Sequence, residues 1–198
     1  MKKILIATTN KDKYTVVCYL LEKTCFQKKN NFQFFSLNDI NYQAKEEKEK
    51  GSIIERAKNK AITIKNYLMK NNLNIYEYII GIDDGIILKG KLHENIKDYL
   101  KKILLENYLE DGEPIIFYRA FYIISKENKD YEAITNVPYK YRPKINAIIK
   151  DNSYPLKQVC VPLDSNKTLM DLTEEEGCLY CLSHSKESLM KLKNVIFE

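Results

Sequence analysis

Two adjacent acids at the end of a short apolar run, Ile79-Ile80-Gly81-Ile82-Asp83-Asp84-Gly85, are the first residues that invite chemistry. Such a run suits a buried strand whose last residues emerge at the edge of a sheet, where open α/β sheets bind ligands. Neighbours on an extended chain point to opposite faces, so one of Asp83 and Asp84 faces a site while the other supports it. The competing reading is an acidic turn, because Asp-Gly is also a turn dipeptide. Glu55 and Lys60 share one expected helix, the acid as a metal-facing group and the lysine reaching phosphate. A local reading competes here too, since Ser52 and Glu55 match a capping box. A third set opens the chain. Thr8, Asn10 and Lys13 lie where a strand gives way to a helix, and free N–H groups at a helix start attract phosphate. Thr8 and Asn10 offer hydrogen bonds to phosphate oxygens and Lys13 offers a cation; on the plainer reading Asn10 only caps and Lys13 is solvated. The loop is not a glycine-rich P-loop.

The elements that must position these residues follow from apolar spacing. Residues 4–7 form a strand, and Val16, Val17, Leu20 and Leu21 stripe the helix after it. Residues 32–35 give a second short strand, and the charge run 45–50 a solvated loop. Ile53, Ala57, Ala61, Ile64 and Leu68 recur on one face of a helix that starts at Ser52 and runs to about Met69. Residues 92–109 are expected to be helical, with His93 on the surface near the start. Residues 115–124 and 131–137 form a hairpin, Pro138 and Pro143 break the pattern, and 145–149 and 159–161 are short strands. Arg119 falls mid-strand, facing solvent or a site. A last helix starts near Ser185, with Leu189, Leu192 and Ile196 buried. Cys178, Cys181 and His184 suggest zinc, but a structural site wants four ligands and no second pair follows.

Length and composition bound the function. A chain of 198 residues is long enough for one domain with a sizeable core. At 44% hydrophobic and 30% charged residues it has an ordinary globular profile. A net charge of +5 is too mild to argue for nucleic acid, though it suits an anionic ligand. No apolar run approaches membrane-spanning length, and residues 4–7 are too few for a signal peptide. Five cysteines without a disulfide framework point to a reducing compartment, hence a cytoplasmic location.

Taken together, these stretches resemble the inosine triphosphate pyrophosphatase family, the non-canonical purine NTP pyrophosphatases. Thr8-Thr9-Asn10-Lys11-Asp12-Lys13 looks like that family's Thr-Gly-Asn-x-x-Lys loop, with Thr9 in place of glycine. Glu55-Arg56-Ala57-Lys58-Asn59-Lys60-Ala61 is similar to its Glu-Asn-Ala-x-x-Lys-Ala helix, and Asp83-Asp84-Gly85 falls where the family has Asp-Asp-Ser-Gly. Lys167-Thr168 through Glu176, then Ser183-His184, resemble its Lys-Thr…Glu-Glu-Lys…Ser-His-Arg tail. The order and approximate spacing hold from the first strand to the last helix.

The resemblance implies one α/β domain over residues 1–198, with an elongated central mixed β-sheet flanked by helices and two lobes around a cleft. It implies a homodimer that cleaves nucleoside triphosphates between the α and β phosphates with Mg²⁺, with neither nucleic acid nor membrane as partner. Thr8, Asn10, Lys13 and Lys60 would hold the phosphates. Glu55 and Asp84 would bind Mg²⁺ and position or activate water, with Asp83 supporting. Ser183 and His184 would lie at the nucleobase. The chain departs from the pattern in the half that reads the base. The family's Phe-Gly-Tyr-Asp-Pro segment is absent near residues 154–158, Gly177 replaces the lysine after the paired glutamates, and Ser185 replaces the arginine after His184. Val16 stands where an acidic helix residue is expected. These losses motivate a rival, a non-catalytic relative that binds a nucleotide or a partner. The run 81–86 also resembles the Gly-Ile-Glu-Gly-Gly-Ile of the sister inosine/xanthosine triphosphatases, but the Ser183-His184 tail speaks against that group.

Overall fold

The computed structural model describes residues 1–26, 31–43, 51–106, 108–144 and 155–197. The expected charge-run loop at 45–50 and the strand at 145–149 lie outside the described residues. The elements run β1 (Lys2–Ile6), α1 (Lys11–Lys23), β2 (Phe32–Ser36), α2 (Ile53–Lys70), β3 (Tyr78–Leu88), β4 (Lys91–His93) and α3 (Lys97–Leu105). There follow β5 (Pro114–Ser125), β6 (Asp130–Tyr141), β7 (Cys160–Pro162) and α4 (Glu174–Phe197). The strands form one seven-stranded mixed sheet in the order β2-β1-β3-β5-β6-β7, with β4 paired to β3. This is the α/β architecture expected from the sequence.

The chain divides into two compact units. The first comprises residues 1–83, 119–134 and 186–198, the second residues 84–118 and 135–185. In the first, β1 is parallel to both neighbours, with Ile4, Leu5 and Ile6 opposite Phe34, Phe35 and Ser36 of β2 and opposite Tyr78, Ile79 and Ile80 of β3. Its core takes Val17, Leu20 and Leu21 from α1 and Ile53, Ala57, Ala61, Ile64 and Leu68 from α2, the stripe seen in the sequence. Parallel strands buried on both faces read as continuous apolar runs, which is why β1 and the start of β3 show no alternation. The second unit has its own core, built on Ile86, Leu88, Ile103, Ile115, Tyr139, Tyr141 and Val159.

Five expectations need correction. The acids do not end their strand: β3 continues through Asp83, Asp84 and Gly85 to Leu88, so neither the strand-edge nor the turn reading holds as stated. The partnership with β1 is what ends, at Ile80. Residues 92–109 are not one helix, because Lys89 and Gly90, both at positive φ, reverse the chain and return it as β4 before α3 begins. Two central residues with φ > 0 are what a tight hairpin turn requires. His93 therefore sits half-buried in β4, its ring 4.0 Å from that of Tyr99, rather than on a helix surface. Pro138 lies inside β6, just ahead of the three residues that pair with β7. Finally, α4 starts at Glu174 rather than near Ser185, because Thr173 and Glu176 form an unforeseen capping box: the Thr173 backbone N–H donates to Glu176 Oε2 at 2.7 Å, and Glu176 N–H donates to Thr173 Oγ1 at 3.2 Å.

Among the described residues, left-handed backbone positions are filled mainly by asparagine and glycine. Among the described residues other than glycine, Asn31, Asn41, Asn72 and Asn128 have positive φ, joined by Lys89. Asparagine tolerates this region better than other side chains. No helix among the described residues is long and apolar enough to cross a membrane.

Candidate active site

The first part of the site is the passage from β1 to α1. Ala7 N–H donates to Ile80 O at 2.8 Å, keeping the chain beside β3 for one residue past the strand. Thr8 is buried, and its hydroxyl accepts from Asn10 N–H at 3.2 Å. The hydroxyl proton remains a donor, as a hydroxyl both accepts and donates. Asn10 is the helix N-cap, its Oδ1 accepting from Lys13 N–H at 2.8 Å. The oxygen is thus committed to the cap, and the side-chain amide is what Asn10 can turn to an anion. The Thr9 carbonyl is tied by Asn38 Nδ2 at 3.2 Å. The loop is therefore braced before any ligand arrives, and α1 opens with its amide dipoles directed at the end of β1.

The second part lies across α2 and β3, still within the first unit. Gly81 lets the helix come down onto the strand: a Cβ there would lie 1.9 Å from Ala57 O and 2.9 Å from Ala61 N. Two residues on, and so on the same face, is Asp83. Its carboxylate is held on both oxygens. Arg56 Nε donates to Oδ2 at 2.5 Å and Lys60 Nζ to Oδ1 at 2.6 Å. Arg56 and Asp83 are each 8% exposed at the side chain, whereas Lys60 is 26% exposed. Arg56 also donates from Nη1 to Gly51 O at 3.2 Å, fixing the residue that precedes the helix cap.

Glu55 performs the local task proposed for it. The backbone N–H and the hydroxyl of Ser52 donate to its Oε2 at 2.7 and 2.9 Å, and its own N–H donates to Ser52 Oγ at 3.3 Å. The bonds from the Ser52 backbone, and then from its hydroxyl, hold the Glu55 carboxyl below its ordinary range. Asp84 is buried, belongs to the second unit and has interaction partners of its own. Alternation along β3 sends it to the face opposite Asp83.

Solved structures share this arrangement of strands and helices. The chain is similar to a nucleoside-triphosphatase, dITP/XTP pyrophosphatase, from Mycobacterium abscessus, at 18% identity over 98% of this chain and 99% of that one, with a TM-score of 0.54. It is similar to the Ham1 protein of Staphylococcus aureus at 13% identity over 98% of both chains, TM-score 0.60. It is likewise similar to a HAM1 protein from Coxiella burnetii at 13% identity over 99% of this chain and 98% of that one, TM-score 0.58. The chain has the Ham1 fold. No protein-family model matches the sequence, and neither does any curated protein.

Within this Ham1 fold the residues singled out from the sequence fall into separate groups. Thr8, Asn10, Lys13, Glu55, Lys60 and Asp83 belong to the first unit, and Asp84, Ser183 and His184 to the second. Ser183 and His184 are exposed and lie inside α4, not ahead of it. The Ser183 hydroxyl donates to Tyr180 O at 2.8 Å, and the His184 ring lies 4.7 Å from that of Tyr180. Tyr180 is buried and anchored by Leu163 N–H, which donates to its hydroxyl at 3.1 Å. No group of three or more His, Cys, Asp or Glu side chains among the described residues is arranged to hold a metal ion. The cysteines are free thiols, and burial pushes Cys18 up to about 12 and Cys25 and Cys178 up to about 11.

One residue that matters was not assigned a role from the sequence. Arg56 follows Glu55 and falls on the apolar stripe of α2, between Ile53 and Ala57. A charge on a stripe that is otherwise buried was the available signal, since such a group needs a partner.

Proposed function

We propose that this protein is a nucleoside triphosphate pyrophosphatase that uses Mg²⁺ to give a nucleoside monophosphate and pyrophosphate. One observation carries the reading. A helix-start loop with a threonine, an asparagine and a lysine, and a charged cluster built on Lys60 and Asp83, sit just past the point where the parallel pairing of β1 with β3 ends. β1 sends the chain to β2 on one side, while β3 sends it on toward β5 on the other, which makes the gap between them a topological switch point. The loop and the lysines then hold the triphosphate. Asp84 takes or orients the attacking water's proton, the Pα–O–Pβ bridge opens, and pyrophosphate leaves with the bond's electrons.

Carboxylates are the ligand type that magnesium carried in with a substrate takes from a protein. Mg²⁺ keeps several waters and needs only one or two carboxylates besides substrate oxygens. We assign those carboxylates to Asp84 and Glu55. When bound, the ion would neutralise charge building on the departing pyrophosphate. Ser183 and His184 are assigned to the nucleobase end, and the reading carries a cytoplasmic homodimer acting on free nucleotides, not on nucleic acid or at a membrane.

The test is incubation with ITP, XTP, dUTP and each of the four common triphosphates plus Mg²⁺, with pyrophosphate measured by ion chromatography. Release from at least one is expected, and release from none removes the enzyme reading. One observation favours the rival, nucleotide binding without turnover: Glu55 Oε2 already serves Ser52. Glutamine satisfies a capping box as glutamate does, but is a poor Mg²⁺ ligand. Glu55→Gln is therefore expected to leave the thermal midpoint in place and raise the Mg²⁺ concentration needed for half-maximal rate several-fold. An unchanged magnesium titration would return Glu55 to a capping role alone.

A further inference from the structure

We infer that the outer edge of β6, beside α4, is a docking groove for an extended peptide segment in which basic residues alternate with aliphatic ones. The groove lies within the first unit, between residues 130–134 of β6 and the stretch of α4 that carries Leu192 and Val195, and has a volume of about 470 Å³. Its strand wall offers main-chain partners. Ser125 N–H donates to Lys129 O and Tyr141 N–H donates to Glu113 O, both at 2.8 Å, so the odd-numbered positions turn their N–H and C=O groups toward β5. Alternation points those of Asp130, Glu132 and Ile134 the other way, to the outer edge. Among the described residues, β7 takes up that edge only at Tyr139, Lys140 and Tyr141. An extended chain laid along such an edge gains a ladder of main-chain hydrogen bonds, while its alternate side chains decide which sequence fits.

The two faces of an added strand meet different surroundings. Gly81 of β3 faces α2 at Ala57, so Tyr78, three residues earlier, faces the other way, where the Phe197 ring of α4 lies 6.5 Å from its own. In this unit α2 and α4 therefore lie on opposite faces of the sheet. Lys58 of α2 lies over the Tyr122 ring, and the Tyr122 hydroxyl donates to Asp130. Asp130 and Glu132, both exposed, thus share the α2 face, and Tyr131 and Ala133 share the α4 face with the apolar wall. On the helix, Lys191 is paired with Glu187 at 2.8 Å, so the acids of β6 set the charge of the groove. Opposite charges across a strand pair stabilise it and like charges destabilise it. Cations thus belong opposite Asp130 and Glu132, and aliphatic side chains between them. The same rule disfavours a second copy as occupant, since two such edges paired about Glu132 would set acid against acid.

The probe is the acetylated and amidated peptide Val-Lys-Val-Lys-Val, titrated into the isotope-labelled full chain and followed by amide chemical shifts. The strand from 130 to 134 is about 13 Å long, which matches a peptide of this length. Saturable shifts are expected at Asp130, Glu132 and Ile134. The peptide Val-Glu-Val-Glu-Val should bind at least about tenfold more weakly, and Glu132→Lys, a change at an exposed side chain, should narrow or reverse that preference. Methylating the backbone nitrogens of both lysines of the probe should abolish binding, because those amides donate to β6 when the added strand runs antiparallel. That control needs no variant of the protein to fold. Absence of saturable shifts overturns the groove, and so does equal binding of the methylated probe, the mark of diffuse charge attraction. Shifts at the same amides when the chain alone is concentrated would place a second copy there and overturn the peptide assignment.

Discussion

Gly81→Ala is expected to lower the thermal midpoint by roughly 6–12 °C. The added methyl would sit 1.9 Å from the carbonyl oxygen of Ala57, with the Ala57 carbonyl carbon and the Ala61 nitrogen both at 2.9 Å. These are backbone atoms of α2, so no rotamer change relieves the contact and the helix itself must retreat. Overpacking a core costs about 1–3 kcal/mol where side chains can adjust. A backbone clash belongs at or above the top of that range, and each kcal/mol is worth about 2–4 °C in a chain of this size. The retreat also pulls Arg56 and Lys60 away from Asp83. Calorimetric melting of the purified variant checks this, and a midpoint within 2 °C of the parent would show that α2 does not rest on β3 as described. Where the variant remains folded, its pyrophosphate release from nucleoside triphosphates should fall together with its stability.

The adjacent acids should fail in opposite ways when each is made an amide. Asp83→Asn removes a buried counter-charge shared by Arg56 and Lys60. Stripping one partner from a buried ion pair costs about 3–5 kcal/mol, and Arg56, buried and unable to deprotonate, bears most of it. The expected result is a protein that melts much earlier or does not accumulate. Asp84→Asn is isosteric and removes the group assigned to water and metal, so turnover should fall at least about a hundredfold, the scale of lost acid–base catalysis. Its midpoint should stay within a few degrees of the parent. Pyrophosphate release and melting, measured on both variants, give a crossed pattern. Loss of activity in Asp83→Asn without loss of stability, or full activity in Asp84→Asn, would reverse the assignment of the two acids.

Most parts of this molecule that local rules govern were readable in advance, although the Thr173–Glu176 capping box that starts α4 was passed over. Asn10 caps α1, Ser52 and Glu55 close their box, and the α2 stripe from Ile53 to Leu68 is buried as its spacing requires. The other misreadings came where a neighbour elsewhere in the chain decides. Residues 92–109 have helical periodicity, but Lys89 and Gly90 adopt the left-handed pair of a hairpin turn, and pairing with β3 claims residues 91–93. Lys-Gly is a weaker hairpin signal than Asn-Gly or Asp-Gly, so nothing local announced it. Asp83 and Asp84 looked terminal because they close a short apolar run, but β3 runs on to Leu88 after its pairing with β1 stops at Ile80. Lys60 was picked out for phosphate, but its bond to Asp83 and the part of Arg56 depend on the approach of helix to strand at Gly81, which spacing along one chain does not encode.

Asparagine's place at the left-handed turns bears on how this chain folds. With six glycines in 198 residues, it spends little of its unfolded ensemble on the broad freedom glycine confers. Asn31, Asn41, Asn72 and Asn128 reach the mirror-image region while sampling fewer conformations before folding, so less disorder must be surrendered at each corner. A bias toward asparagine in composition thereby becomes a structural asset, since the residue this chain has in plenty is the one best able to stand in for the residue it has in short supply.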